Sequence, residues 1–291
     1  MKPAPFDYHR PQSLAEALAL LTELGDEARP LAGGQSLVPM MNMRIARPEH
    51  LIDLNDLAGL DFIRDTDAAI EIGAMTRHRA VERSELLKRT QPMFPAVAHT
   101  IGHDVIRERG TIGGSLALAD PSAQWPLLAV LLDARIDLAS QSARRSVAAV
   151  DFFTGVFTTA TASGELVVAA SFPRLATGEG WGYRSFTRRH GDFAIVAAAA
   201  TVALDLAGRI ERVGLALSGI GGGPVRIDDA VGSLRGSAPD PTALTEAARG
   251  AAAVAAAHDD AIASAAFRRD LVEVLSAAAL ADAARRAGTQ R

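Results

Sequence analysis

At 291 residues, 48% hydrophobic and 22% charged, the chain has the composition of a globular protein, and its length suggests two domains. Its formal charge of -4, from 30 basic and 34 acidic residues, gives no electrostatic attraction to nucleic acid or an anionic membrane. The absence of cysteine excludes disulfides, a thiolate nucleophile and any cysteine-held zinc or iron–sulfur centre on this chain alone, so redox chemistry here needs an organic cofactor or a metal on another polypeptide.

The first predicted element is a helix. Ser13 can cap it, Leu14, Leu18, Leu21 and Leu24 recur on one face, and Gly25 ends it. Leu31-Ala32 reads as a short strand entering Gly33-Gly34, and Leu51-Ile52-Asp53-Leu54 as another. From Leu60 the pattern alternates, so Phe62 and residues 69–73 suggest antiparallel strands. Helices are expected near 77–88 and 93–101, a buried apolar helix at 125–132, and short strands at 135–138 and 166–171. Ala176-Thr177-Gly178-Glu179-Gly180 is the best linker candidate. Strands at 194–206 and 212–218, a glycine-rich turn at 219–223 and alanine-rich helices near 241–256 and 264–284 complete the chain. The expected domains are 1–178, in subdomains of about 1–57 and 58–178, and 179–286. The N-terminus has no apolar leader core and residues 251–257 are too short for a membrane span, so a cytoplasmic location is expected.

Two segments carry the chemistry: Leu31-Ala32-Gly33-Gly34-Gln35-Ser36-Leu37 and Arg109-Gly110-Thr111-Ile112-Gly113-Gly114-Ser115-Leu116. Each sets a glycine pair between an apolar approach and a hydroxyl residue. Glycine lets backbone come within contact distance of a ligand, and consecutive amides can point inward as an anion nest, with Ser36, Thr111 and Ser115 as further donors. Taken singly, each is the composition of an ordinary turn. Together they suit a diphosphate. A dinucleotide fold of the Gly-x-Gly-x-x-Gly type is poorly supported, because Gly219-Ile220-Gly221-Gly222-Gly223 is followed by Pro224 and opens no helix.

Other residues have plainer readings. His99 and His103 have helical metal-ligand spacing, but Gly102 intervenes and no third ligand is evident, so no metal is expected. Met40, Met41 and Met43 read as packing residues, and Arg188-Arg189 as solvated or interdomain salt-bridging residues. No Ser-His-Asp arrangement supports hydrolysis.

The two loops closely resemble the Ala-Gly-Gly-[His/Gln]-Ser-Leu and Thr-[Ile/Val]-Gly-Gly-[Ser/Asn] signatures of the medium, FAD-binding subunits of carbon monoxide dehydrogenase and xanthine dehydrogenase relatives. The flanks are similar too: Met43-Arg44-Ile45-Ala46-Arg47-Pro48-Glu49-His50, Ile106-Arg107, Ala119-Asp120-Pro121, Tyr183-Arg184-Ser185-Phe186, and Ser264-Ala265-Ala266-Phe267-Arg268-Arg269. The resemblance spans residues 1–285 in order. It implies an α+β fold: an FAD-binding domain of the p-cresol methylhydroxylase type in two subdomains, then a smaller α/β domain of the carbon monoxide dehydrogenase flavoprotein type.

By that resemblance FAD is the cofactor. Ala32, Gly33, Gly34, Gln35, Ser36 and Leu37 would hold its diphosphate together with Gly110, Thr111, Gly113, Gly114 and Ser115. Asp120 and Gln124 would lie along the ribityl and adenosine side, Gln124 standing where relatives carry an acid. Ile101 and Val167 would make apolar contacts. Arg184 or Ser185 falls where relatives carry a lysine near the flavin, and Phe193 replaces a tyrosine beside the ring. His103-Asp104 departs from the relatives' Pro-Gln. The implied partners are a small subunit with [2Fe–2S] clusters and a large molybdopterin subunit, in a dimer of heterotrimers that delivers electrons to an external acceptor. No side chain here is then a bond-making catalyst. The alternatives are a stand-alone flavin oxidase or reductase of the same fold, and a scaffold that has lost its cofactor.

Overall fold

The computed structural model describes residues 2–289. Asp7–His9, His50–Asp53 and Ala28–Leu31 pair in that order as three parallel strands. Parallel neighbours cannot be joined by a tight hairpin and require crossovers. The first crossover is the Leu14–Leu24 helix. Ser13 Oγ accepts from the Glu16 amide, Ala17, Leu18 and Leu21 are buried, and Gly25 at φ +53° ends it. The second runs from Leu31 through the first glycine pair into a short helix, Leu37–Asn42. That pair therefore sits at the carboxyl end of a parallel strand, where open sheets place their ligands.

A five-stranded antiparallel sheet follows, ordered Ile63–Asp65, Ala69–Gly73, Leu166–Pro173, Arg135–Ala139 and Arg144–Ala148. The helix expected at 77–88 is two helices, His78–Arg83 and Glu85–Thr90, because Ser84 leaves helical geometry and its hydroxyl caps the second. Gln124–Leu131 is helical with all eight residues buried. It has no polar face because its core is continuous on both sides, from Ile70, Phe94 and Phe172 across Trp125 to Ala197, Ala199 and Ala216 of the next sheet. Met41 is buried, but Met43 is 55% exposed and does not pack as expected.

The last sheet is antiparallel: Glu179–Phe186, Val196–Leu204, Ile210–Ser218 and Val225–Arg226. Two helices join its core, Pro241–Val254, capped by Asp240, and Ala265–Thr289. Gly180, expected in the linker, instead belongs to the first strand. A Cβ there would overlap the Ala283 carbonyl, and one at Gly182 the Ala279 carbonyl, so both glycines let the strand lie against the backbone of the final helix. The chain turn falls just before, at Gly178 with φ +81°. Among the described residues no helix is long and apolar enough to cross a membrane.

Candidate functional site

The two glycine segments, far apart in sequence, meet in space. A Cβ on Gly33 would overlap the Arg109 carbonyl and crowd the Gly110 Cα, and one on Gly114 would stand 3.7 Å from the Ala32 Cβ. Side chains that sequence reasoning passed over weld the junction. Asn55 Nδ2 donates to the Ala32 carbonyl at 3.1 Å. The Arg77 guanidinium donates to Asn55 Oδ1 at 2.5 Å and to the Arg109 carbonyl.

In the first loop, Gly34 takes φ +71°, a conformation that L side chains rarely adopt. Gln35 Nε2 returns to the Gly33 carbonyl at 3.0 Å, while the Gly34 and Ser36 carbonyls accept from Val38 and Met40 to open the short helix. The amides of Gly33, Gly34, Gln35 and Ser36 donate to no protein acceptor among the described residues. Consecutive donors left open on a half-buried loop are the nest that an anionic group requires.

The second loop is different. Ile112 and Gly113 donate to the carbonyls of Thr76 and Ala74 at 3.0 and 2.8 Å, Gly114 donates to Thr111 Oγ1 at 3.1 Å, and Ser115 to the Thr111 carbonyl at 3.1 Å. Thr111 is thus the N-cap of the Ile112–Leu118 helix, 2% exposed. Of the amides of residues 111–115, those of Ile112 to Ser115 are thus bonded within the protein, and that of Thr111 donates to no protein acceptor among the described residues. These glycines serve close packing: a Cβ on Gly113 would run into Ala74, and one on Gly110 into the His78 ring. The Thr111 amide and the Ser115 hydroxyl remain as donors in this segment.

His78 is the buried hub behind it. Trp125 Nε1 donates to His78 Nδ1 at 3.1 Å, the rings lie 6.2 Å apart, and the His78 amide donates to the Gly110 carbonyl at 3.0 Å. Burial, then the Arg77 and Arg107 charges, push its pKa down to about 3, so the ring is neutral at physiological pH.

The remaining expected residues are distributed around this junction. Asp120 follows Ala119, which ends the helix at φ +52°; its Oδ1 accepts from the Ser122 amide at 2.8 Å, and burial raises its pKa. Gln124 starts the buried helix and is 7% exposed. Ile101 is half-buried, and its carbonyl accepts from Arg107 at 3.1 Å; Arg107, 3% exposed, pairs with Glu82 at 2.9 Å and with Asp104. Glu82 also hydrogen-bonds His99 Nδ1 at 2.7 Å, which brings His99 into this network. Val167 lies within the main core, 8% exposed, where the strand register shifts.

Arg184 does not face the junction. It alternates with Tyr183 and Ser185 along the strand, shares the helix-covered face with Gly180 and Gly182, and pairs with Asp282 of the last helix at 2.7 Å. Tyr183 packs against the main core, which puts Ser185 on the side toward the FAD-type domain. Phe193 is 56% exposed, in the loop between Phe186 and Val196. That loop is anchored from behind: buried Arg268 donates to the carbonyls of Ile195 (2.7 Å) and Gly219, and the Gly219 amide donates to the Pro121 carbonyl at 2.8 Å, beside Asp120. A cavity of about 350 Å³ between Phe153, Gly222, Val225 and Val254 contains none of the expected cofactor residues.

Comparison with known proteins agrees with this geometry. Residues 4–175 match the family described as FAD binding domain in molybdopterin dehydrogenase, and residues 181–283 the CO dehydrogenase flavoprotein C-terminal domain. The chain is 39% identical to the carbon monoxide dehydrogenase medium chain of Afipia carboxidovorans over 94% of this chain and 95% of that one. It is 36% identical to the glyceraldehyde dehydrogenase medium chain of Sulfolobus acidocaldarius over 98% and 100%. Among solved structures, carbon monoxide dehydrogenase from Hydrogenophaga pseudoflava superimposes with a TM-score of 0.94 at 35% identity, covering 98% of this chain and 99% of that one. Quinoline 2-oxidoreductase from Pseudomonas putida 86 gives 0.94 at 32% identity, covering 99% of each. Two matched domains in one order, over nearly the whole chain, place it in the family of medium, FAD-binding electron-transfer subunits of the carbon monoxide dehydrogenase and xanthine dehydrogenase type molybdenum hydroxylases.

Proposed function

We propose that the chain binds one FAD and passes electrons from [2Fe–2S] clusters on a small partner subunit to an external acceptor, while a large molybdopterin subunit oxidises the substrate. The observation that carries this reading is the first glycine loop, where four consecutive amides at the end of a parallel strand donate to no protein acceptor among the described residues. Bound there, FAD supplies the electron transfer, and the protein supplies position, electrostatics and solvent access. Residues 32–37 hold the diphosphate, the Ser115 hydroxyl adds a donor, and Asp120 and Gln124 lie beside the rest of the chain of the cofactor. Ile101, Ser185 and Phe193 border the ring. Ser185 takes the place that Arg184 was expected to contest, because Arg184 is committed to Asp282.

The domains divide at 178/179, with subdomains of 1–57 and 58–178 and a second domain of 179–286. The assembly is a dimer of heterotrimers in the cytoplasm. The names of the relatives span carbon monoxide, glyceraldehyde and quinoline, which fits a flavin subunit that leaves substrate choice to another chain. The test is co-expression with the adjoining large and cysteine-rich subunits of its host. The expected result is a complex containing FAD, molybdenum and iron, whose substrate-dependent reduction reaches the flavin only when all three subunits are present. A chain that purifies alone and turns over a small substrate by itself would show the stand-alone oxidase instead.

A further inference from the structure

We propose that Arg77 is the counter-charge for the diphosphate at the first glycine loop, a role that rests on the FAD reading above. The Arg77 side chain is half-buried at the junction of the two loops, and both of its hydrogen bonds end on neutral oxygens, Asn55 Oδ1 and the Arg109 carbonyl. Those acceptors tie it to the loops: Asn55 holds the Ala32 carbonyl, and Gly33 abuts the Arg109 carbonyl. A guanidinium carries five N–H donors, so most of its fork remains open at this point.

It makes no ion pair among the described residues; Asp61 and Asp53 act on it only from a distance. Asp53 itself is engaged by the Tyr8 hydroxyl and by Asn55. Burial, and then the charge of another cation, Arg109, lower the Arg77 pKa. Most other partly or fully buried arginines here are paired: Arg79 and Arg107 with Glu82, Arg226 with Asp133, Arg268 with Asp260; Arg286, which has no ion pair among the described residues, instead lies over the Trp181 ring and donates to the Trp181 carbonyl. A partly desolvated cation without a counter-ion is unfavourable, and an anion at the adjacent amides removes that cost. A diphosphate fits because it brings two charges, one for the amide nest and one for the guanidinium.

The test is titration of the flavin-free full chain with FAD, read by flavin fluorescence, at low and high ionic strength. Arg77→Gln should weaken FAD binding about 10- to 100-fold at low ionic strength and flatten its salt dependence, because the screened charge is gone. Arg77→Lys should keep the salt dependence while losing part of the affinity, since it retains charge but not the fork. Thermal unfolding of each flavin-free variant verifies the fold. Wild-type affinity in Arg77→Gln overturns the proposal. So does weakened binding with an unchanged salt dependence, which would mean that Arg77 only welds the loops. If Arg77→Gln does not fold, a flattened salt dependence in Arg77→Lys has the same meaning. An unsubstituted chain that takes up no FAD, alone or in its complex, removes the cofactor reading itself and is thereby distinguished from failure of this proposal.

Discussion

The loop at Gly33-Gly34 and the loop at Gly113-Gly114 share a sequence pattern, yet they use glycine for opposite purposes. In the first, the chain leaves a parallel strand, turns through positive φ at Gly34 and keeps four amides open. In the second, every amide from Ile112 to Ser115 is bonded within the protein, and the missing side chains let one helix press against Ala74 and the end of another against His78. One loop leaves its donors open and the other spends most of its own inside the protein. A shared Gly-Gly-x-Ser signature therefore says where backbone comes close to something, and only the hydrogen-bond accounting says whether that something is a ligand or the protein.

That contrast is open to attack by substitution. Gly113→Ala should be the most damaging change, because its Cβ meets Ala74 backbone that cannot yield: overpacking of this kind costs about 1–3 kcal/mol or more. The flavin-free protein should melt several degrees lower. Gly34→Ala should show the reverse balance. Its neighbours are the tips of Val38 and Leu31, so the flavin-free melting temperature should fall little beyond the strain of positive φ, about 1 kcal/mol, while FAD affinity falls at least tenfold. If both variants lose stability and affinity in the same proportion, the division of labour is wrong.

The second loop's buried hub adds a pH signature. His78 is neutral in the fold and protonates in the unfolded chain, so the unfolded state binds the extra proton between about pH 6.5 and 3. Its contribution is complete above that window and declines by about 1.4 kcal/mol per pH unit on acidification. His78→Gln should remove this part of the slope when denaturant midpoints are compared between pH 7 and pH 5; parallel slopes would argue against a buried neutral ring. A smaller effect is expected at Thr111→Val, about 1 kcal/mol from loss of the cap to Gly114, with FAD affinity changing only modestly. Smallest of all, Arg184→Ala should cost at most about 1 kcal/mol and leave FAD affinity within about twofold, since its partner is Asp282 at a half-exposed site. A large loss of affinity there would return Arg184 to the cofactor.

Much of this was legible from local sequence. Ser13 and Gly25 bracket the first helix as their chemistry demands, residues 125–132 are apolar all round because both sides are core, and the glycine segments do mark places of close backbone approach. What escaped depends on partners distant in the chain. Nothing near Asn55 or Arg77 signals that they meet across the loops, and the short helix at Asp104–Arg109 owes its place to Arg107 reaching Glu82. Gly180 read as linker because a strand glycine facing a helix backbone has the same local composition as a turn glycine. That Arg184 turns to the last helix, and Ser185 to the opposite face, needed strand register.

The central claim, that this chain holds FAD through its first glycine loop, is tested most directly by the cofactor content of the purified protein, taken with its partner subunits and compared with Gly34→Ala. The expected result is flavin absorption and heat-released FAD near one per chain in the unsubstituted protein, with marked loss in the variant while the Gly113 wall stays folded. A complex that assembles and stays folded without any flavin, and binds none when FAD is added, would contradict it.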